Sequence, residues 1–237
     1  MYNSVFIFSD NNHHPTQSLA NGVGVDSRGF ADLVGNLNLN GNIEPLEAQV
    51  SSNGQAITDA GYFPSVGPSG KGLDITVDAA NNYFITGSFT LSGNTNPSFF
   101  NAKFTAAGAE VWDFEWTLTK DFNGTALNAF GTSIKTDSQG NVYDAVTVTD
   151  PNSGTGAQVT LDAYKFSSTG GAFLDGTVGA VGGSNNDYGL GLDVSGTMTF
   201  LVGGSSSPDF PTTPGVVQPS YGGGDFDGIV VGLTLGG

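Results

Sequence analysis

Three segments near the end of the chain decide its fold. Residues 185–196 read NNDYGLGLDVSG, residues 207–215 read SPDFPTTPG, and residues 221–224 read YGGG. Weaker copies of this pattern occur three times earlier in the chain. Self-similarity at a fixed period takes precedence over other sequence signals, because it indicates one structural unit used several times. The chain therefore reads as four copies of one unit.

One turn sets the register of the copies. It begins with an Asp at four positions spaced by 52, 59 and 56 residues: Asp26, Asp78, Asp137 and Asp193. A short alternating strand precedes each Asp, and an apolar strand follows each turn. Asp favours the turn entry because its carboxylate accepts hydrogen bonds from backbone N–H groups two residues later. Gly or Asn favours the exit because it tolerates positive φ. Each copy is thus predicted to begin with two strands joined by this turn.

A second register gives each copy its third strand and the turn that follows it. Residues 48–54, 102–108 and 164–170 align, and the chain ends on the same pattern at 231–237. Fourth strands are predicted at residues 56–63, 111–118 and 172–178.

The last copy has no fourth strand of its own, whereas residues 2–8 read as a strand without a partner. Asn3 precedes Asp26 by 23 residues, and Gln55 precedes Asp78 by the same distance. The N-terminal segment, residues 1–9, therefore has the position of a fourth strand, and we expect it to complete the last copy.

The three C-terminal segments resemble the SBBP family of β-propeller repeats. The repeat of that family combines an N-D-Y-G opening, a V-D-x-x-G-N turn, a D-F-P-T-T-P-G loop and a Y-G-G-G run. The resemblance is clearest in residues 184–233 and extends weakly over the whole chain. It implies an all-β, four-bladed β-propeller with four antiparallel strands per blade. The N-terminal strand would close the ring and leave no unpaired sheet edge between the termini.

We expect a single propeller domain over residues 1–237. Its repeat units are residues 10–63, 64–119, 120–179, and 180–237 together with 1–9. An open solenoid of four β units is an alternative, but it would leave the N-terminal strand unused. An eight-bladed ring of two chains is a further alternative, and it would require the fourth strand to cross between chains.

Composition limits the partners. Acids outnumber bases by 22 to 6, which gives a net charge of −16, and the bases form no stripe along the chain. We therefore expect no binding to nucleic acid or to an anionic membrane surface. Cysteine is absent, so disulfides and thiolate chemistry are excluded. No apolar run approaches the ~18–20 residues of a membrane span, and no signal peptide is visible at the N-terminus.

Few residues are available for catalysis. Histidine occurs only as the pair His13 and His14, which we interpret as part of a solvated loop. Nothing in the sequence sets two of its candidate carboxylates opposite each other. These candidates are Asp113, Glu115, Asp187, Asp209, Asp225 and Asp227. A glycosidase needs two carboxylates facing each other across a sugar. We therefore expect the chain not to be an enzyme, with a lyase or hydrolase as the alternative.

The sequence offers little for metal binding or for sugar stacking. Residues 225–228 and 137–140 place oxygens near tight turns, but the alternating Asp loop of an EF-hand is missing, so no cofactor is expected and calcium remains the alternative. Sugar sites stack on exposed aromatic rings. We interpret five aromatic residues as structural: Trp112, Phe114, Trp116, Tyr188 and Tyr221. Three others are expected in loops, where they are freer to bind a ligand: Tyr62, Phe63 and Phe210.

The function expected from these observations is that of a non-catalytic interaction subunit. It would be a rigid propeller displayed on an extracellular surface or on a particle such as a virion or a surface appendage, with protein partners or copies of itself. A glycan-binding module that recognises surface glycans is the alternative. The connections that differ most in length between copies, residues 90–98, 149–158 and 204–224, are the expected contact regions, since repeat scaffolds place specificity in loops.

Overall fold

The computed structural model describes residues 17–39, 41–62, 69–91, 93, 96–116, 127–150, 158–176 and 181–235. Within these ranges the protein is all-β, with fifteen strands and no helix. The expectation of an all-β protein is therefore confirmed. The N-terminal segment lies outside the described residues.

The strands form four consecutive antiparallel meanders. The first contains β1 (Gln17–Val25), β2 (Ala31–Leu39), β3 (Asn42–Val50) and β4 (Ile57–Tyr62). The second contains β5 (Ser69–Val77), β6 (Tyr83–Thr90), β7 (Ser98–Phe104) and β8 (Glu110–Trp116). The third contains β9 (Asn128–Thr136), β10 (Val142–Asp150), β11 (Gln158–Phe166) and β12 (Phe173–Gly176), and the fourth contains β13 (Asp187–Ser195), β14 (Met198–Ser205) and β15 (Asp227–Thr234).

Hydrogen bonding joins the described strands into three sheets of eight, four and three strands. The eight-stranded sheet consists of the first two meanders, linked by a single parallel bridge between Ile43 and Ser69. No closed sheet is formed by the described residues. The strand order follows the sequence in each meander, as the two repeat registers predict.

The contacts divide the chain into two compact units, residues 1–115 and 116–237. In the first unit, one face of the first meander packs on the second meander. The buried core there consists of Val34, Ile75, Tyr83, Ile85, Phe89, Phe100, Ala102 and Phe104. In the second unit, the fourth meander packs on the third, around Tyr143, Ala145, Leu161, Ala163, Leu192, Leu201 and Leu235. Each core is thus made between two consecutive meanders.

The predicted Asp turn is confirmed in the first three meanders. The Oδ1 atom of Asp26 accepts hydrogen bonds from the backbone N–H groups of Arg28 and Phe30, at 2.9 and 2.8 Å. Asp78 and Asp137 do the same with the backbone two and four residues later. One carboxylate therefore satisfies two backbone donors that the turn would otherwise leave unpaired.

The same prediction is wrong for Asp193. This residue lies inside β13, opposite Phe200, and its carboxylate accepts only the adjacent N–H of Val194 in the hydrogen bonds seen here. The fourth meander turns instead through a two-residue loop, because Ser195 pairs directly with Met198. Gly196 supplies the positive φ of +61° that such a tight hairpin requires.

A β-bulge recurs in the first strand of all four meanders. The register shifts lie between Ala20 and Gly22, Gly72 and Asp74, Gly131 and Ser133, and Gly189 and Gly191. In three meanders a glycine of the second strand faces the residue before the bulge: Gly35, Gly87 and Gly203. A Cβ on any of these three would lie 1.9 Å from a carbonyl oxygen of the first strand. The repeat therefore includes a close backbone approach that strand periodicity does not reveal.

The close approach at the bulge makes Gly87→Ala a sensitive test of the repeat. We expect a loss of about 1–3 kcal/mol in the free energy of unfolding, because the new methyl group meets the Lys71 carbonyl oxygen and the Phe100 ring. Urea denaturation measures it. Gly228→Ala is the matched control, since a Cβ there meets nothing within 4 Å. Equal stabilities of the two variants would contradict the close approach.

Candidate functional site

A cavity of about 560 Å³ lies between the first hairpins of the third and fourth meanders, within the second compact unit. It is lined by Thr136, Asp137, Ser138, Gln139, Tyr143, Lys165, Val194, Ser195, Gly196, Thr197 and Leu235. We call this space the hairpin cavity. The Asp137 turn forms one side, and the tight hairpin after β13 forms the other.

The base of the hairpin cavity holds a buried cation beside a phenol. Tyr143 and Lys165 face each other across β10 and β11, and the Lys165 Nζ atom lies 5.4 Å from the centre of the Tyr143 ring. Only 6% of Lys165 is exposed, which is rare for a lysine. The Tyr143 hydroxyl donates to Asp137 Oδ2 at 3.2 Å. Asp137, Tyr143 and Lys165 therefore form a row of three ionisable groups in contact.

The environment sets the protonation of this row. Burial raises the pKa of the Tyr143 phenol, although the hydrogen bond and positive charge of Lys165 act in the opposite direction. Burial would also raise the pKa of Asp137, but hydrogen bonds from Asn141, from the Gln139 backbone and from Tyr143 outweigh it and hold that pKa below its usual value. The row at neutral pH thus consists of an anion and a neutral phenol beside the lysine.

Equivalent positions in the other meanders carry different pairs. In the first meander Gln49 donates to Asp32 at 2.8 Å. In the second, the Lys103 Nζ atom lies 5.1 Å from the Phe84 ring centre. In the fourth, Thr199 faces Leu233. Each meander therefore has a facing pair at the position of Tyr143 and Lys165, but the residue types of the pair differ from one meander to the next.

A second candidate surface is the loop between β14 and β15, residues 206–226. Its base is braced by side chains that lie close together in the structure although they are far apart in sequence. Asp209 accepts from both the backbone and the hydroxyl of Ser184 at 2.8 Å, and Ser207 donates to Asp187 at 2.9 Å. Farther along, Asp227 accepts from the Gly222 backbone. Asp187, Asp209 and Asp227 are therefore turn-bracing residues here.

The tip of this loop is apolar and exposed. Val216 is 39% exposed and Val217 is fully exposed. The charged side chains of the loop are Asp209 and Asp225, and none lies between them, in a chain of net charge −16. The loop thus presents a braced projection with an uncharged tip from an acidic protein.

An acidic cluster occupies the interior of the first unit. It consists of Asp32, Glu47 and Asp59 on adjacent strands, with Tyr83 of the second meander donating to Glu47 Oε2 at 3.2 Å. Glu47 is 7% exposed. Burial, followed by the charges of Asp59 and Asp32, raises the pKa of Glu47 to about 7, although the Tyr83 hydrogen bond opposes this. Sequence reasoning missed this cluster, because nothing in the spacing of its residues distinguishes a buried face from a solvated one.

The other candidate residues of the sequence are dispersed over the structure. His13, His14 and Phe63 lie outside the described residues. Asp113 and Glu115 are exposed on β8, whereas Trp112 and Phe114 on its other face contact Phe84 and Phe99. Strand β8 therefore has one aromatic face and one exposed acidic face.

The aromatic residues of the fourth meander have structural contacts. Tyr188 packs edge-on against Phe226 at 5.1 Å between ring centres, and the Tyr221 hydroxyl donates to the Gly224 carbonyl within the loop. Phe210 lines a second, smaller cavity of about 90 Å³ under the same loop. These rings stabilise the 206–226 loop.

Among the described residues, no three or more His, Asp or Glu side chains are grouped so as to hold a metal ion. None of those residues forms a helix long and apolar enough to cross a membrane.

Comparison with known proteins gives fold-level likeness only. No family model and no curated protein matches the chain. Among solved structures, the Hadza microbial sialidase Hz136 is similar with a TM-score of 0.58 at 10% identity, over 82% of this chain and 44% of that one. BamB from Moraxella catarrhalis is similar with a TM-score of 0.39 at 10% identity, over 79% of this chain and 45% of that one. A β-1,2-mannobiose phosphorylase from Listeria innocua is similar with a TM-score of 0.45 at 8% identity, over 76% of this chain and 53% of that one. The chain spans about half the length of each.

These comparisons correct one expectation. The prediction that the chain is not an enzyme is contradicted, because the sialidase, an enzyme, has a similar fold. The physical reason is that an all-β scaffold of this type supports catalysis as readily as binding, since function depends on the site and not on the fold. At 10% identity and below, the likeness concerns the fold alone and assigns no reaction to this chain.

Proposed function

We propose that the chain is an interaction subunit, held in a protein assembly on an extracellular surface or particle through the 206–226 loop. Its scaffold in this proposal is a four-bladed propeller of the SBBP type. The observation that carries the function is the pair Val216 and Val217, exposed at the tip of a loop whose base is braced by hydrogen bonds. A braced loop loses little conformational entropy on binding, which favours a specific contact.

The scaffold part of the proposal rests on the repeat. The described strands fall into meanders of four, four, four and three, with a bulge at the same place in each. Among the described residues, β15 pairs only with β14, so its far edge is available to the N-terminal segment. A sixteenth strand at that edge would give four blades of equal size.

The fourth meander supports ring closure in a second way. The face that does not pack on the third meander carries Phe200, Val202 and Val230, the last 73% exposed. A sheet with two apolar faces is typical of one covered on both sides. The first meander also exposes apolar side chains, Val23 and Val25, along β1. In the proposed ring these two apolar surfaces are covered.

Assembly through the loop is tested with Val217→Asp. We expect sedimentation velocity of the wild-type protein to show species larger than the 24.2 kDa monomer, at a fraction that rises with concentration. The variant should shift this equilibrium at least tenfold toward monomer, because a charge placed in a desolvated apolar contact is costly.

Val111→Asp is the matched control, since Val111 is also an exposed valine but lies on β8. It should assemble like the wild-type protein. A wild-type protein that is monomeric at every concentration, or a Val217→Asp variant that assembles unchanged, would contradict assembly through the loop.

Glycan binding is the second candidate function, and the hairpin cavity is the observation that favours it. A sugar ring cannot stack on Trp112 in the described structure, because the Trp112 ring contacts Phe84. A cavity lined by hydroxyl and amide groups offers another mode of recognition.

A further inference from the structure

The hairpin cavity lies where the repeat departs from its own pattern. In the first three meanders an Asp-capped turn joins the first two strands, whereas the fourth has a two-residue loop at this point. The shorter hairpin and the Asp137 turn together border the cavity. A departure from a local rule in one copy of a repeat is where a functional site is expected.

The size of the hairpin cavity suits a small molecule. Its volume of about 560 Å³ lies within the ~300–1,000 Å³ of typical ligand sites. Besides Tyr143, whose hydroxyl donates to Asp137, the lining side chains with hydroxyl or amide groups are Thr136, Ser138, Gln139, Ser195 and Thr197. Each of these groups both donates and accepts hydrogen bonds without carrying charge. The lining therefore matches a ligand with many hydroxyl groups.

The charges of the lining oppose each other. Asp137 already accepts hydrogen bonds from Gln139, Asn141 and Tyr143, so its carboxylate serves the turn. Lys165 supplies one buried positive charge, and only the Tyr143 side chain lies between it and Asp137. A net charge of −16 on the whole chain disfavours an anionic ligand at a site whose own charges nearly cancel. The ligand class that fits is neutral.

We propose that the hairpin cavity binds a neutral oligosaccharide. The hydroxyl and amide side chains exchange hydrogen bonds with sugar hydroxyls, Lys165 donates to one ring or hydroxyl oxygen, and Val194 and Leu235 contact the C–H face of a sugar ring. This inference gives the second candidate function its ligand class and its residues. It does not depend on assembly through the 206–226 loop, which involves other residues.

The test begins with an array of neutral and uronic-acid-containing oligosaccharides, followed by isothermal titration of the strongest binder. We expect a neutral oligosaccharide to bind the wild-type protein. Thr197→Trp, which places a bulky ring at an exposed lining position, should weaken binding at least tenfold, and Gln139→Ala should weaken it about threefold to tenfold. Both residues are exposed, so the variants should melt like the wild-type protein.

Two matched controls complete the experiment. Ala80→Trp adds the same ring to an exposed turn of the second meander, and Lys103→Met removes the lysine at the position equivalent to Lys165. Both should bind like the wild-type protein, whereas Lys165→Met should lose affinity. Binding of no neutral oligosaccharide, tighter binding of uronic-acid oligosaccharides, or full binding by Thr197→Trp would overturn the proposal, and none of these results bears on the sedimentation test.

Discussion

Deletion of residues 1–9 is expected to abolish cooperative unfolding or to cause aggregation. In the proposed scaffold this segment is the outermost strand of the fourth meander, beside β15. Its removal would expose a strand edge and leave the apolar face of Phe200, Val202 and Val230 less protected. A loss of several kcal/mol would lower the melting temperature by at least ~10 °C in a protein of this size.

Differential scanning calorimetry and light scattering measure this effect. A deletion of residues 236–237, at the other terminus, is the control and should leave the melting transition unchanged. A truncated protein that lacks residues 1–9 and still stays soluble, with the melting transition of the full chain, would show that the segment is not part of the scaffold.

Replacement of Glu47 by Gln is expected to stabilise the protein above neutral pH. The pKa of Glu47 is about 7 in the folded state against 4.5 for an ordinary glutamate, so the folded state binds the proton more tightly. The stability that this proton provides is present at low pH and is lost as the pH rises from about 4.5 through 7. A difference of this size corresponds to about 3 kcal/mol.

The measurement is the difference in unfolding free energy between Glu47→Gln and the wild-type protein from pH 4.5 to pH 8.5. We expect a difference near zero at pH 4.5 that grows to about 3 kcal/mol at pH 8.5, because Gln fills the same space without a buried charge. Glu110→Gln, at an exposed position on β8, should show no such trend. A pH-independent difference for Glu47→Gln would mean that the acidic cluster is solvated.

The sequence predicts most of the strands because turn chemistry and alternation are local. Asp26, Asp78 and Asp137 lie in the predicted turns, with a strand before and after each of them as predicted. Asp193 was misplaced because a two-residue hairpin and an Asp-capped turn differ by a small shift in pairing, which residue types alone do not resolve. The fourth strand of the third meander spans Phe173–Gly176 within the described residues, and residues 177–178 of the predicted 172–178 lie outside them.

The candidate site was not predictable, because it arises where two meanders meet. Lys165 in the sequence resembles Lys103, yet Lys165 is buried beside a cavity and Lys103 is half-buried. The bulge could have been predicted from one feature of the sequence, since Gly35, Gly87 and Gly203 occur at matching positions of the repeat. Burial of Glu47 depends on Tyr83 in the next meander, 36 residues away, and no periodicity within β3 reports it.

The central claim is that the N-terminal segment pairs with β15, and a pair of spin labels tests it most directly. The chain has no cysteine, so Ser9→Cys with Val230→Cys gives a clean doubly labelled protein. These two positions face each other in the proposed pairing, because they are equivalent to Gly61 and Glu47 of the first meander. Adjacent strands lie ~4.8 Å apart, so we predict strong dipolar broadening in the continuous-wave EPR spectrum, absent from either singly labelled protein. A doubly labelled spectrum equal to the sum of the two single-label spectra would contradict the claim.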